Sequence, residues 1–378
     1  MYYIIYFMIF FGAIQEAVYH KKSKALFKLS YFILFMMAVF RYGQGQDYFN
    51  YEGIFHEVSV YTKQSIWGIF LLDDFGYAFL NYIAISLNFP YELFMATITA
   101  VTMLMFYSFL KKRCECSMVG LFIFYSVIFM IYPLSVSRQG FCMAFFFYCL
   151  YPLLQNNKII SYIVCSILIS SIHASALIFL LFPIVYKHKI SYKLLLVLFI
   201  LSIIVLFFSK NLMAYIPVPF IQDRMKTYLS AASSNMMFAK ILRLLLVFPL
   251  LLLPSKFLKD SQIRSNYRIF LFGFFVYALI SFSEIASSRV WGYFLGFECI
   301  ILSKLALSNK WSRKKVILVL YYILISTVLW FKDIGGAMEQ GKYRNCTMIN
   351  YPYISVFEGE NSLKYYRTYK GHGFVDTY

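Results

Sequence analysis

The chain has 378 residues, 61% of them hydrophobic and 21% aromatic, against only 14% charged. Soluble domains carry about 45–50% apolar and about 25% charged residues, so this composition excludes an ordinary soluble protein and reads as a polytopic membrane protein. The formal net charge of +18 would suit a nucleic-acid binder, but most lysines and arginines fall in short polar breaks between apolar runs. That is the positive-inside pattern, and nucleic acid is excluded as a partner.

A helical span needs about 20 residues, with roughly 17–25 as the working range. The first run, Tyr2 to Val18, lacks a basic leader and a small-residue cleavage site and is expected to be a retained span. In chain order the apolar runs are 2–19, 25–40, 91–110, 118–134, 138–154, 159–172, 174–186, 191–208, 237–254, 267–284, 289–307 and 316–331. Basic breaks fall at Lys21 to Lys24, Lys111 to Arg113, Lys158, Lys187 to Lys189, Lys256 to Arg268, and Lys310 to Lys315. With all of these cytoplasmic, the expected fold is an all-α polytopic bundle of about twelve transmembrane helices with both ends outside. The run Phe75 to Phe89 would upset this count, so it is expected to be a re-entrant or interfacial helix. Such a helix is allowed where protein or a wet cavity covers it. The stretch Ile159 to Tyr186 is long for one span and short for two, and parity makes it two short helices turning near His173. Residues 1–331 then form a single transmembrane domain carrying the chemistry. Residues 332–378 form an extracytoplasmic, tyrosine-rich tail, expected to fold over the membrane surface. The cysteines suggest neither a zinc site nor a disulfide framework.

The outer side receives the stretch 41–51, Arg-Tyr-Gly-Gln-Gly-Gln-Asp-Tyr-Phe-Asn-Tyr. Glycine lets backbone approach a ligand, arginine forks onto phosphate or carboxylate, and tyrosine offers a flat face with a hydroxyl at its rim. The same residues also suit a membrane-exit loop with arginine and aromatics at the headgroup belt. Two further arginines reach the outer ends of spans. Arg138 opens a helix in Ser135-Val136-Ser137-Arg138-Gln139-Gly140, where free N–H groups favour an anion. Arg289 follows Glu284-Ile285-Ala286-Ser287-Ser288 and either pairs with Glu284 or faces a ligand. Three outer arginines break the inside bias of the other basic residues and point to an anionic ligand.

His173 is the one histidine inside an apolar stretch. It reads either as a neutral residue hydrogen-bonded across helices or as a proton acceptor. Asp47, Glu52 and the pair Asp73-Asp74 are solvated loop charges or bases for a sugar hydroxyl. Glu298 lies within a span and needs a partner, for which Lys304 or Arg289 would serve. The chain has no P-loop, no His-Glu-x-x-His, no Gly-x-Ser-x-Gly, no dinucleotide fingerprint and no Asp-x-Asp. Nucleotide-driven and metal-dependent reactions are therefore not expected, and neither is a cofactor.

The string Arg-Tyr-Gly-x-Gly-x-Asp-Tyr-x-x-Tyr at 41–51 resembles the signature of EpsG-like, Wzy-type bacterial polysaccharide polymerases. Ser-Val-Ser-Arg-Gln at 135–139, His-Ala-Ser at 173–175 and Ser-Arg-Val-Trp-Gly-Tyr-Phe at 288–294 follow in that family's order. Asp73-Asp74-Phe75-Gly76 departs from the Glu-Pro-Gly turn more usual there. The resemblance implies a multi-pass enzyme of the bacterial inner membrane that joins undecaprenyl-diphosphate-linked oligosaccharides into O-antigen, capsule or exopolysaccharide, with the lipid diphosphate leaving. It also implies a partner that regulates chain length. The expected site assigns catalysis to His173 or Asp47 with Arg138, diphosphate binding to Arg41, Arg138 and Arg289, and sugar binding to Tyr48, Tyr51 and Glu52. Arg41 has the alternative task of anchoring the Gly-rich loop. Rival readings are a lipid-linked oligosaccharide transporter, a polysaccharide ligase and a membrane O-acyltransferase.

Overall fold

A computed structural model describes residues 1–45, 47–64, 68, 74–187, 192–213, 236–252, 260–307, 313–336 and 353–359. Among these the chain is helical throughout, with one isolated β-bridge and no strand. It divides into two compact units, residues 1–177 with 326–378, and residues 178–325.

The first unit begins with α1 (Tyr2–Tyr19) and α2 (Lys24–Val39), separated by a turn in which His20 takes a left-handed conformation and Ser23 caps α2 by accepting the Leu26 N–H. There follow α3 (Tyr48–Gln64), α4 (Phe75–Ser86), α5 (Tyr91–Arg113) and α6 (Ser117–Phe124). The helix α6 runs on as a π-helical turn, Tyr125–Phe129. A helix start leaves its first N–H groups without partners. For α6 a side chain on α1 supplies the acceptor: buried Glu16 takes the N–H groups of Met118 at 2.6 Å and Val119 at 3.1 Å. Next come α7 (Ser137–Phe145), a π-helical turn (Phe146–Leu150), α8 (Tyr151–Gln155) and α9 (Ile159–Ser170). The helix α5 packs on α2 and α7, while α1 packs on α6. The last helix returns to α1, where Trp330 stacks on Tyr6 with ring centres 4.2 Å apart.

The second unit holds α10 (Phe182–Lys187), α11 (Tyr192–Met213), α12 (Met236–Val247), α13 (Ser261–Leu279) and α14 (Glu284–Leu307). The last helix, α15 (Arg313–Gly336), begins here and ends in the first unit. Asp260 caps α13 by accepting the N–H groups of Gln262 and Ile263. Gly273 lets α13 approach α14 closely, because a Cβ there would overlap the Phe294 ring. That approach buries Trp291, Tyr293, Phe294 and Phe297.

Every apolar run expected from the sequence carries a helix. Among the described residues, four helices are long and apolar enough to cross a membrane by length and composition: Tyr2–Tyr19, Tyr91–Arg113, Ala286–Leu307 and Val316–Ile334. The others are shorter or interrupted. The break near His173 is present, with α9 ending at Ser170 and a 3₁₀ helix (Ala174–Leu181) following it. Asp73, residues 214–235, the Glu284 side chain and most of the tyrosine-rich tail lie outside the described residues.

Candidate active site

The site is built in the first unit from four short pieces of chain. The Gly-rich loop leaves α2 and enters α3, with Gly43 and Gly45 both at positive φ (63° and 102°). Gly45 packs on the turn before α7, where a Cβ would stand 2.5 Å from the Ser135 Cα. Both the left-handed conformation and the contact with backbone require glycine. Gly45→Ala is expected to cost at least about 2 kcal/mol, through strain and a displaced loop. The check is thermal unfolding of the detergent-solubilised chain.

Arg41 is 3% exposed, and its guanidinium is spent on the protein. Nη1 donates to the Ala38 carbonyl at 2.7 Å and to the Thr99 hydroxyl at 2.9 Å, while Nη2 donates to the Ser137 hydroxyl at 2.8 Å. These bonds tie the end of α2 to α5 and to the first residue of α7. Part of the tail closes over the same loop. Arg41 bridges to Ser355, the Tyr42 N–H donates to the Ile354 carbonyl at 2.9 Å, and the Val356 N–H donates to the Phe40 carbonyl at 2.9 Å. Of the two tasks expected for Arg41, the geometry favours anchoring the loop.

Tyr48 and Tyr51 are also turned inward, at 2% and 1% exposure. With Phe55 and Val58 they form the buried stripe of α3, at the spacing that places residues on one helix face. Tyr48 meets Tyr91 edge-on at 5.3 Å, and Tyr51 meets Tyr77 at 5.7 Å. Their faces serve the protein rather than an outer sugar. Glu52 and Asp47 remain on the half-open side of this helix, and the Asp47 carboxylate accepts from Asn50 and from the Tyr51 hydroxyl, each at 3.4 Å.

The polar centre lies where α4, α7 and the turn after α9 meet. Gly76, at the start of α4, sits so close to Ser171 that a Cβ would stand 2.8 Å from its carbonyl carbon, and the Gly76 N–H donates to the Ser171 carbonyl at 2.9 Å. This approach brings Asp74 to His173 and Arg138. Asp74 Oδ2 takes Arg138 Nη1 at 2.6 Å and faces His173 Nδ1 at 3.7 Å, while Oδ1 accepts the Ala174 N–H at 3.3 Å. The guanidinium of Arg138 also lies over the rings of Tyr51 and Tyr77, 5.1 and 5.3 Å from their centres. Arg138, Asp74 and His173 are partly open, with side chains 20%, 17% and 11% exposed. Arg138 Nε and both His173 nitrogens make no hydrogen bond within the described residues.

Burial pushes the Asp74 carboxyl up, but His173, the Arg138 guanidinium and the Ala174 N–H outweigh it and hold the group below its ordinary value. Asp74 is therefore a fixed carboxylate at neutral pH and a poor proton acceptor. A depressed folded-state value means that its stabilisation is present at neutral pH and is lost as pH falls through that value. Asp74→Asn is expected to lower stability at pH 7 by about 1–3 kcal/mol, the worth of a hydrogen bond between charged groups. The gap to the wild type should narrow as pH falls through the lowered folded-state value and the Asp74 carboxyl takes up its proton. Unfolding midpoints measured from pH 7 to pH 3 check this.

Arg138 and His173, singled out from separate sequence motifs, are brought together here by Asp74, which the sequence offers only as one of several loop carboxylates. The signal was present: an acidic residue two positions before a glycine, at the head of an apolar helix. Tyr77, Thr99 and Ser137 had no such signal, because each acts through a contact across the fold.

The model of the EpsG family matches residues 24–354. The chain belongs to the EpsG family. No curated protein and no solved structure matches it. EpsG membership makes this a polysaccharide-related membrane protein. The matched region contains the Gly-rich loop, Asp74, Arg138, His173 and Arg289. Arg289 stands in the first turns of α14, in the second unit, with a half-buried side chain.

Proposed function

We propose that this EpsG-family chain polymerises undecaprenyl-diphosphate-linked oligosaccharide repeat units at the outer face of a bacterial inner membrane. In this reading the shorter helices complete a bundle of about twelve crossings, and α4 is the re-entrant or interfacial element. The observation that carries the proposal is the Asp74-centred group: a histidine whose Nε2 makes no hydrogen bond among the described residues, a carboxylate facing its Nδ1, and an arginine fixing that carboxylate.

Glycosyl transfer from a lipid diphosphate needs a sugar hydroxyl relieved of its proton and a departing diphosphate whose charge is stabilised. A hydroxyl of the incoming unit attacks the anomeric carbon of the donor glycan. The new C–O bond forms as the bond to the diphosphate breaks, and the hydroxyl proton passes to His173 Nε2. Asp74 then faces an imidazolium at Nδ1 and stabilises it, as an oriented carboxylate does for a catalytic histidine. Arg138 keeps Asp74 in place and has N–H groups left for the diphosphate. Arg289, in the second unit, is proposed as a diphosphate-binding residue in its own right. Asp47 and Glu52 offer acceptors to the sugars, while Tyr51 and Tyr77 back Arg138 and Tyr48 backs Arg41. Among the expected bases, His173 is favoured because Asp47 already accepts hydrogen bonds from its own helix.

The test is deletion of the gene, followed by sizing of the surface and lipid-linked glycans. Long chains should vanish while a single repeat unit persists. Loss of every repeat from the surface would instead indicate a transporter. An unchanged ladder would reject both readings.

A further inference from the structure

The second unit holds an arginine that the reaction above does not use. Arg243 is the eighth residue of α12 and is half-buried. Its guanidinium carbon lies 5.2 Å from the centre of the Tyr277 ring and 5.7 Å from that of Trp291. Tyr277 closes α13 and Trp291 lies in the early turns of α14, across the short connection 280–283. Arg243 therefore stands at the end of this unit where α13 turns into α14. Arg289, two residues before Trp291, belongs to the same end.

The two other arginines described in detail each have oxygen partners on the protein. Arg41 spends its Nη atoms on a carbonyl and two hydroxyls, and Arg138 pairs with Asp74. Arg243 differs. Among the described residues its guanidinium touches two aromatic faces and forms neither a hydrogen bond nor an ion pair. Among the described residues, an acidic side chain that feels its charge is Glu298, two turns deeper along α14 than Trp291. Glu298 is wholly buried, and its two carboxyl oxygens have no hydrogen-bond partner among the described residues. Lys304, one of the two partners expected from the sequence, pairs with Asp260 at 3.5 Å.

A half-buried cation without an acceptor is costly to hold. Stacking on aromatic faces accounts for the flat sides of the guanidinium and leaves its N–H edges uncommitted. Those edges form the fork that matches a phosphate. The N-terminal turns of α14, at the same end, add a field of the sign that favours an anion.

We propose that Arg243, held against Tyr277 and Trp291, is an oxyanion seat for a lipid-borne phosphate. The identity of that lipid as the polyprenyl-diphosphate carrier rests on the polymerase reading. The seat itself does not, since the phosphate of an anionic phospholipid has the same chemistry.

The experiment places the full-length protein in nanodiscs of phosphatidylcholine. Retention of undecaprenyl diphosphate and, separately, of phosphatidylglycerol is then measured by native mass spectrometry. Wild type is expected to retain undecaprenyl diphosphate. Arg243→Ala should lose affinity by about tenfold or more, and Arg243→Lys should fall between because the fork is gone. Arg243→Met keeps an apolar stem against the two rings, so it should retain the wild-type unfolding temperature and still bind as poorly as Arg243→Ala. Arg243-dependent retention of phosphatidylglycerol alone would uphold the seat and reject the polymerase reading. Undecaprenyl diphosphate bound equally by wild type and Arg243→Met would overturn the seat and leave the polymerase reading standing. Retention of neither lipid would also overturn the seat.

Discussion

Replacing Arg138 by alanine is expected to lower the rate of polymer formation by about 10²–10³-fold, the cost of removing one donor aimed at developing negative charge. Two losses combine in this variant. The departing diphosphate loses N–H donors, and Asp74 loses its 2.6 Å partner and with it the pin that holds it opposite His173. Arg138→Lys should recover only part of the rate. A lysine supplies charge but neither the planar fork nor the stack on Tyr51 and Tyr77. The measurement is the initial rate of chain extension at saturating lipid-linked repeat unit. A substrate-independent fall in rate assigns the effect to the reaction, and a fall cured by more substrate assigns it to binding.

His173→Ala is expected to reduce the rate by about 10²–10⁴-fold, the usual contribution of a positioned general base. Binding of the lipid carrier should stay near normal, because His173 faces Asp74 rather than the arginines' ligand side. Asp74→Asn should cause a smaller loss, since an uncharged side chain still orients the ring but no longer stabilises an imidazolium. The order His173→Ala, then Asp74→Asn, then wild type distinguishes a histidine base from a carboxylate base. If Asp74 took the proton itself, Asp74→Asn would be as damaging as His173→Ala. Activity in His173→Ala equal to wild type would move the base to Asp47 or Glu52.

The fold class was legible because apolar periodicity needs no tertiary information. A bundle of helices separated by basic breaks follows from composition and from the cost of exposing backbone to lipid. Even the break at His173 could be read, since 28 residues from Ile159 to Tyr186 cannot make two full spans. The interruptions at 125–129 and 146–150 could not, because both π-helical turns lie in apolar sequence with no proline or glycine inside them. Within the site, charged residues were legible and their duties were not. Arg41 looks like a ligand-binding arginine because it follows an apolar run and precedes glycines, yet Thr99 and Ser137, 58 and 96 residues away, absorb its donors. Tyr48 and Tyr51 look like sugar platforms until helix α3 forms and turns both rings inward. Asp74 looked like one of several loop carboxylates, and only the close approach of Gly76 to Ser171 sets it between Arg138 and His173. Arg243, in a run read as an ordinary span, acquired interest only once its two aromatic neighbours were visible and no carboxylate partner was found among the described residues.

The central claim is tested most directly by reconstituting the purified chain with a single lipid-linked repeat unit and measuring both products, polymer by sizing and undecaprenyl diphosphate by release. The account predicts a ladder of chain lengths, one diphosphate released for each linkage made, and loss of both products in Arg138→Ala and His173→Ala. Wild-type protein that makes no linkage, or variants that release diphosphate as fast as wild type, would contradict it.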